Sequence, residues 1–234
     1  VQVGGGGLAN AVSSANALFK RLDIIRKLPR LYTCQTAECY PLAQSYFLVL
    51  RELGRDGVVT LPPELAMLLE GDFDAKVLLE NNLGQIKMTA GLIAEMYPKI
   101  QEDLDAVFVK VGERRNDYFK PRADARDVDA ATPYDGPEVV RGMIVSGGLP
   151  LIVDAEELVK ANELAREHTN VDTSMAGSAG LAGLRRLIGN KLVQQGERCG
   201  ILFTGARELK CDLPALSDKI ITLTAEDDLS KLAD

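Results

Sequence analysis

The sequence has one histidine, four cysteines and no long apolar run, and each scarcity excludes a class of protein. The cysteine spacings are C-x4-C and C-x11-C, and neither is the C-x-x-C pattern of a zinc or redox site. So few cysteines also argue against a disulfide scaffold, and we expect them to be reduced in a cytoplasmic protein. No apolar run approaches the ~20 residues that a membrane span needs. The cysteines are Cys34, Cys39, Cys199 and Cys211.

The single histidine limits the possible hydrolases. A Ser-His-Asp or Cys-His site would have to be built on His168, the only imidazole in the chain. His168 ends a helical stretch, where a cation suits the helix dipole and where histidine is a common stop signal. We therefore predict a structural or solvent-facing role for it.

Composition is that of an ordinary globular protein, with 46% hydrophobic and 26% charged residues. The 27 basic and 34 acidic residues give a net charge of −7, which does not favour binding of nucleic acid. The sequence opens on Val-Gln-Val, with neither an initiator Met nor a signal peptide. We expect residues 1–234 to be the C-terminal part of a longer protein, cut just before a glycine-rich loop.

Alternating strands and helices predict an α/β fold with an open, mostly parallel sheet and helices on both faces. Residues 116–136 are polar and rich in proline and predict a loop. Residues 75–80 are compatible with either a strand or a helix. The predicted strands are 1–3, 31–35, 105–111, 149–153, 199–204 and 220–223. The predicted helices are 8–27, 41–53, a short one from 62, 90–97, 139–146, 154–168 and 177–195.

A run of four glycines, between Val3 and Leu8, is the sharpest feature. Glycines between a strand and a helix let the backbone approach an anion, which the helix N-terminus then binds. A turn without a ligand is one interpretation. A dinucleotide loop is another, because Gly4-x-Gly6-x-x-Ala9 fits the G-x-G-x-x-G/A pattern. That loop needs an acid after the second strand, and Glu38 is a poor substitute. The third interpretation is a phosphate cup for a phosphorylated cofactor.

Two later segments bear on that choice. Residues 177–184 begin a helix with almost no side-chain bulk, which predicts close packing against a cofactor, a neighbouring backbone or another helix. Residues 201–205 predict a buried strand that ends in a hydroxyl and a glycine. Ligands of open α/β sheets bind at the carboxyl ends of the strands.

Three segments, in this order, resemble a known family: VQVGGGGLANA, DTSMAGSAGLAGL and GILFTGARE. They look like the fold-type-II enzymes that use pyridoxal 5'-phosphate, the tryptophan synthase β-like family. Residues 148–158 further resemble its threonine synthase-like members. The resemblance implies the family's fold, an amino-acid substrate and a homodimer.

The resemblance also implies roles for individual residues. Thr204 would lie at the pyridine nitrogen of the cofactor, where a neutral hydroxyl leaves that nitrogen largely unprotonated. Ser178 would cap the helix that follows it or contact the cofactor site, and capping is favoured because serine oxygens readily accept from free helix N–H groups. The cofactor phosphate would be bound by Gly4, Gly5, Gly6 and Gly7 together with the amide of Leu8.

The activity implied is that of a lyase that eliminates phosphate from an O-phosphorylated amino acid and adds water. A threonine/serine dehydratase, a β-replacement enzyme and a dinucleotide-binding α/β protein remain alternatives. In the family, the lysine that forms the Schiff base lies upstream of the glycine loop, so it would precede Val1. We therefore assign no catalytic residue in this sequence.

Overall fold

The computed structural model describes residues 1–113, 134–169 and 171–205. This part of the chain contains seven α-helices, one 3-10 turn and two parallel strands, so the predicted α/β class is confirmed. The strands are β1 (Thr33–Thr36) and β2 (Pro150–Val153). The helices are α1 (Gly7–Arg21), α2 (Pro41–Arg55), α3 (Pro63–Glu70), α4 (Ala75–Glu113), α5 (Gly136–Ser146), α6 (Ala155–Thr169) and α7 (Ala179–Gly189), with the 3-10 turn Ala176–Ser178 before α7.

The sheet is parallel and short. β1 and β2 pair in register from Thr33 opposite Pro150 to Thr36 opposite Val153. Residues 1–3 lie along the other side of β1, where Gln2 forms a parallel bridge with Cys34. Three parallel segments therefore end at one edge, which is the edge where ligands of such sheets bind.

Helices cover both faces of the sheet. Because successive side chains of β1 point to opposite faces, neighbouring residues of this strand contact different helices. Thr33 Oγ1 donates a hydrogen bond of 3.1 Å to the sulfur of Met143 in α5. On the opposite face, Cys34 Sγ lies against Gly183 of α7, where an added Cβ would be 3.2 Å away. The neighbouring α2 is buried along most of its length, and its packing against α3, α4 and α5 forms the largest part of the core.

The predicted strand at 105–111 is wrong, because these residues belong to α4. Leu104, Val107 and Val111 are buried while Val109 is 63% exposed, which is the spacing of a helix face and not of a strand. The β-branched residues suggested a strand locally, but burial follows the helical period. The helix predicted at 90–97 continues through Pro98, and residues 75–80 are helical.

The predicted strand at 199–204 is also wrong. These residues are described without strand pairing and are half-buried or exposed, whereas the prediction was a buried strand. The strand predicted at 220–223 lies outside the described residues, as do residues 116–133 of the predicted loop.

Two helices end earlier than predicted. α1 ends at Arg21, and Asp23, two residues later, has a positive φ of 56°. α7 ends at Gly189, and Lys191, also two residues later, has a φ of 57°. Residues in the left-handed region terminate helices, and nothing in the apolar periodicity indicates where they fall.

The apolar side chains of α1 have the predicted helical spacing but do not form a buried face. Leu18 and Leu22 are 40% and 57% exposed, and Ala9 is the buried residue of this helix. α1 instead approaches α5 at Gly142, where an added Cβ would lie 2.4 Å from Ser13 Oγ. In the described ranges, no helix combines the length and apolar character that crossing a membrane requires.

Candidate functional site

The glycine loop passes beside the N-terminus of α5. Gly6 has a φ of +100°, which side chains rarely adopt, and an added Cβ there would lie 3.2 Å from Asp135 Cβ and 3.3 Å from Val139 Cγ2. Gly5 accepts a backbone hydrogen bond of 3.2 Å from the amide of Asp135. Both conformation and space therefore require glycine at position 6.

The loop presents backbone amides that have no acceptor in the described part of the chain. The first helical bond of α1 runs from Asn10 N to Gly6 O, at 2.9 Å, and α1 has no side-chain cap and no acid in its first turn. Among the described residues, no acceptor pairs with the amides of residues 4–9. Free amides at a helix N-terminus are the donors that bind phosphate. The Asp135 carboxylate, 3.7 Å from an added Gly7 Cβ, opposes a second negative charge there.

Thr204 lies next to the segment that leads into this loop. Its Oγ1 accepts a hydrogen bond of 2.8 Å from Gln2 Nε2, although the two residues are 202 positions apart. Its backbone carbonyl accepts from Thr173 Oγ1 at 3.2 Å and from Ser174 Oγ at 3.3 Å. The structure therefore places the Thr204 side chain against Gln2, two residues before the glycine loop, and outside the lining of the pocket at the carboxyl ends of the strands.

The small residues of the 177–184 segment are accounted for by close approaches within the protein. An added Cβ at Gly177 would be 1.6 Å from the carbonyl oxygen of Thr204, so no side chain fits there. At Gly183 it would be 2.9 Å from Leu151 Cδ1, which reflects close packing of α7 on the sheet. Gly180 is different, because its nearest contact would be an ordinary 3.5 Å to Ile201 Cγ2.

Asn162 of α6 organises the turn that contacts Thr204. Its side chain is buried, and its Nδ2 lies 2.9 Å from Thr173 O, 3.1 Å from Ser174 O and 3.3 Å from Ser178 Oγ. The prediction that Ser178 caps α7 is wrong. Ser178 precedes α7 without a side-chain cap bond, and its Oγ donates 2.8 Å to Met175 O. Sequence reasoning missed Asn162, although a polar residue between the buried Ala161 and Ala165 is a detectable signal.

A small pocket opens at the carboxyl ends of the strands. Its volume is about 30 Å³, room for about two or three water molecules. Burial raises the pKa of the Cys34 thiol to about 12, and burial also raises the pKa of Cys39. Both thiols are therefore protonated at neutral pH and are poor nucleophiles. The lining residues are Gln2, Val3, Cys34, Gln35, Thr36, Cys39, Ala176 and Ala179.

The dinucleotide interpretation requires a carboxylate at the end of β1, and the described pocket lining contains no acid. Glu38 is exposed, in the turn where Cys39 N donates 3.1 Å to Thr36 O. Glu38 follows β1 by two residues and lies outside this lining.

Two local predictions at α6 are confirmed. Asp154 and Glu157 form a reciprocal capping box, with Glu157 N 2.8 Å from Asp154 Oδ1 and Asp154 N 2.9 Å from Glu157 Oε2. His168 lies in the last turn of α6 and is exposed to solvent. Both observations agree with a structural role for this helix.

Comparison with known proteins finds no family profile that matches the chain and no curated protein significantly similar to it.

Proposed function

We propose that this chain forms part of a pyridoxal 5'-phosphate-dependent lyase of fold type II that acts on amino acids, most like threonine synthase. The observation that supports this proposal best is the 2.8 Å hydrogen bond between Gln2 and Thr204. It joins the segment before the glycine loop to the hydroxyl that the family resemblance assigns to the ring nitrogen. The resemblance predicts the loop and the hydroxyl separately, and this bond joins the hydroxyl to a residue two positions before the loop.

The resemblance assigns residues of this chain to the two ends of such a cofactor, although the Asp135 carboxylate beside Gly7 opposes the charge of a phosphate there. Phosphate would be bound by the amides of the glycine loop and of Leu8, at the positive N-terminus of α1. The ring nitrogen would meet the half-buried hydroxyl of Thr204. A neutral hydroxyl in that position fits a neutral nitrogen better than a protonated one, for which a carboxylate would be the stronger partner.

When bound, the cofactor supplies the electron sink for loss of the substrate Cα proton. The described residues bind and orient it. Neither pocket thiol is suited to move a proton at neutral pH, since burial raises the pKa of both. In the family that the resemblance names, the Schiff-base lysine lies upstream of the glycine loop, and finding no such lysine in the coding sequence would remove the catalytic part of the proposal.

Equilibrium binding by this chain tests the cofactor assignment. Pyridoxine 5'-phosphate is the suitable probe, because its alcohol forms no bond with surface lysines. We expect saturable binding that is weaker for pyridoxine without its phosphate. Thr204→Val should weaken binding about tenfold, the loss expected for one hydrogen bond.

The matched control is Thr89→Val. Thr89 is buried in α4, where its hydroxyl bonds the carbonyl of Gln85 at 2.9 Å, away from the pocket. Its loss should leave the affinity unchanged. Saturable binding of NAD without binding of pyridoxine 5'-phosphate would refute the proposal in favour of the dinucleotide interpretation.

A further inference from the structure

The C-terminal end of α1 and the turn that follows it combine exposed apolar side chains with a local excess of positive charge. This segment, residues 18–30, is named the basic tip. It contains five basic residues and one acid, a net charge of +4 in a chain whose net charge is −7. Positive charge is thus concentrated here against the sign of the whole chain. The basic residues are Lys20, Arg21, Arg26, Lys27 and Arg30, and the acid is Asp23.

Four large apolar side chains of the basic tip lie in solvent. Their exposed fractions run from 40% to 64%, with Ile24 the most exposed. Single exposed apolar side chains are normal on a soluble protein, whereas a cluster of them rimmed by polar groups marks an interaction surface. The cluster consists of Leu18, Phe19, Leu22 and Ile24.

Hydrogen bonds order the turn that carries these side chains. The amide of Ile24 donates to the carbonyl of Phe19 at 2.9 Å, which folds the chain back on the last turn of α1. Lys20 Nζ donates to the carbonyl of Arg26 and so ties the segment after the turn to the helix. The apolar and basic side chains are therefore presented together by one ordered element.

Three cations of the basic tip have no partner of opposite charge among residues 1–113, 134–169 and 171–205. Arg21, Arg26 and Lys27 are exposed, and their side chains make neither an ion pair nor a hydrogen bond with that part of the chain. Arg21 follows Leu18 by three residues in α1, a spacing that makes two side chains neighbours on a helix surface. A cation therefore flanks the exposed apolar cluster.

We propose that the basic tip binds the surface of a membrane that contains anionic phospholipids, with its apolar side chains at the boundary between headgroups and acyl chains. The negative potential of such a surface attracts Lys and Arg. Their aliphatic stems let apolar neighbours enter the boundary while the charges stay at the headgroups. This is contact with one leaflet and not a membrane span. It goes beyond the proposed function and does not depend on it.

Two other occupants fit the basic tip less well. A second copy related by a twofold axis would place two segments of net charge +4 against each other, and like charges repel. A protein with an acidic groove would need pockets that match apolar groups on both a helix and a turn. Fluid lipid chains need no such match, so they accept the irregular spacing from Leu18 to Ile24.

The sequence contains no tryptophan, which allows a direct test of insertion. Ile24→Trp places one indole in the basic tip, and Leu92→Trp places it in α4 at a residue that is 60% exposed. The vesicles are phosphatidylcholine with about one third phosphatidylglycerol. We expect the emission of Ile24→Trp to shift to shorter wavelength and to be quenched by brominated acyl chains, and that of Leu92→Trp to do neither. An unshifted Ile24→Trp, or a shift in both variants, would overturn the proposal.

Cosedimentation with the same vesicles measures the contribution of charge. The double variant Arg26→Gln, Lys27→Gln should bind about 25-fold more weakly, because each cation near such a surface contributes about fivefold in affinity. The matched control Lys99→Gln, Arg185→Gln removes one lysine and one arginine at exposed positions of α4 and α7. Its affinity should be almost that of wild type, and equal losses in the two double variants would overturn the proposal.

The lipid and salt dependence complete the test with the wild-type chain alone. Vesicles of phosphatidylcholine without an anionic lipid should bind hardly at all, and about 1 M salt should release the chain from anionic vesicles, because the screening length falls to about 3 Å. Equal binding to neutral and anionic vesicles would contradict the role of charge. Binding of poly-glutamate without binding of vesicles would assign the basic tip to an acidic polypeptide and overturn the membrane proposal.

Discussion

Gly177→Ala is the substitution that most directly tests the packing behind the candidate site. The new Cβ would lie 1.6 Å from the carbonyl oxygen of Thr204, 2.6 Å from its carbonyl carbon and 2.7 Å from Thr173 Oγ1. Two of these atoms are backbone, so no side-chain rotation relieves the overlap. The oxygen must retreat about 1.4 Å to reach 3.0 Å, the shortest contact a real Cβ makes.

That retreat stretches the two hydrogen bonds that hold the carbonyl, at 3.2 and 3.3 Å, beyond useful length. Each contributes about 0.5–1.5 kcal/mol. If the chain stays in place instead, overpacking costs about 1–3 kcal/mol. Either response lowers the free energy of unfolding by about 2 kcal/mol, which lowers Tm by about 4–8 °C in a chain of this size.

Thermal unfolding followed by circular dichroism measures the effect, with Gly180→Ala as the control. Gly180 lies in α7 three residues further on, and its added Cβ would meet only an ordinary contact of 3.5 Å. Alanine favours a helix over glycine by up to about 1 kcal/mol, so this variant should be as stable as wild type or slightly more stable. Equal Tm values for the two variants would show that Gly177 does not pack on Thr204.

Further predictions concern the glycine loop, the Asn162 turn and the α2–α4 ion pairs. Gly6→Ala should lower the free energy of unfolding by about 2–3 kcal/mol and Gly57→Ala by about 1 kcal/mol, because both glycines have a positive φ but only Gly6 is crowded. Denaturant unfolding measures both, and equal losses would contradict this reasoning. Asn162→Leu should lower stability by about 1–3 kcal/mol and weaken binding of pyridoxine 5'-phosphate, since buried acceptors lose their donor, and unchanged affinity would show that the turn does not support the site. Glu52→Gln should lower the free energy of unfolding at pH 7 by about 1–2 kcal/mol. Burial alone would raise the pKa of Glu52, but the hydrogen bond from Lys110 and the charges of its lysine and arginine partners lower this pKa overall. Wild type should therefore lose this advantage as the pH falls below the unfolded value of about 4.3 and through the lower folded pKa, whereas the more exposed Glu70→Gln should show less than about 1 kcal/mol at any pH.

Features encoded within a few residues could be predicted from the sequence. The capping box at Asp154, the prolines that begin α2 and α3, and the turn of glycines before α1 all depend on neighbouring positions. Parallel pairing of β1 with β2 follows from the alternation of strands and helices, because a helix must cross over between parallel strands.

Features that depend on distant partners could not. Residues 105–111 contain enough β-branched residues to favour a strand, yet they are helical because Val107 and Val111 both face the core from α4. Ser178 has the chemistry of a helix cap, but Asn162 and Met175 O engage its hydroxyl instead. Local preference was overridden in both cases by packing between elements.

By itself, the sequence determined the α/β class and the turn of glycines before α1, whereas anion binding by that turn and the resemblance to pyridoxal-phosphate enzymes stay predictions. These depend on backbone freedom and on residue order, which need no partner. Only the tertiary structure decided that Thr204 lies against Gln2 and that the close approach of the Thr204 carbonyl requires glycine at position 177. It also decided that Asn162 bonds the turn that contacts this carbonyl. Contacts between residues about 200 positions apart arise from how the helices pack around the sheet, and no local pattern in the chain records them.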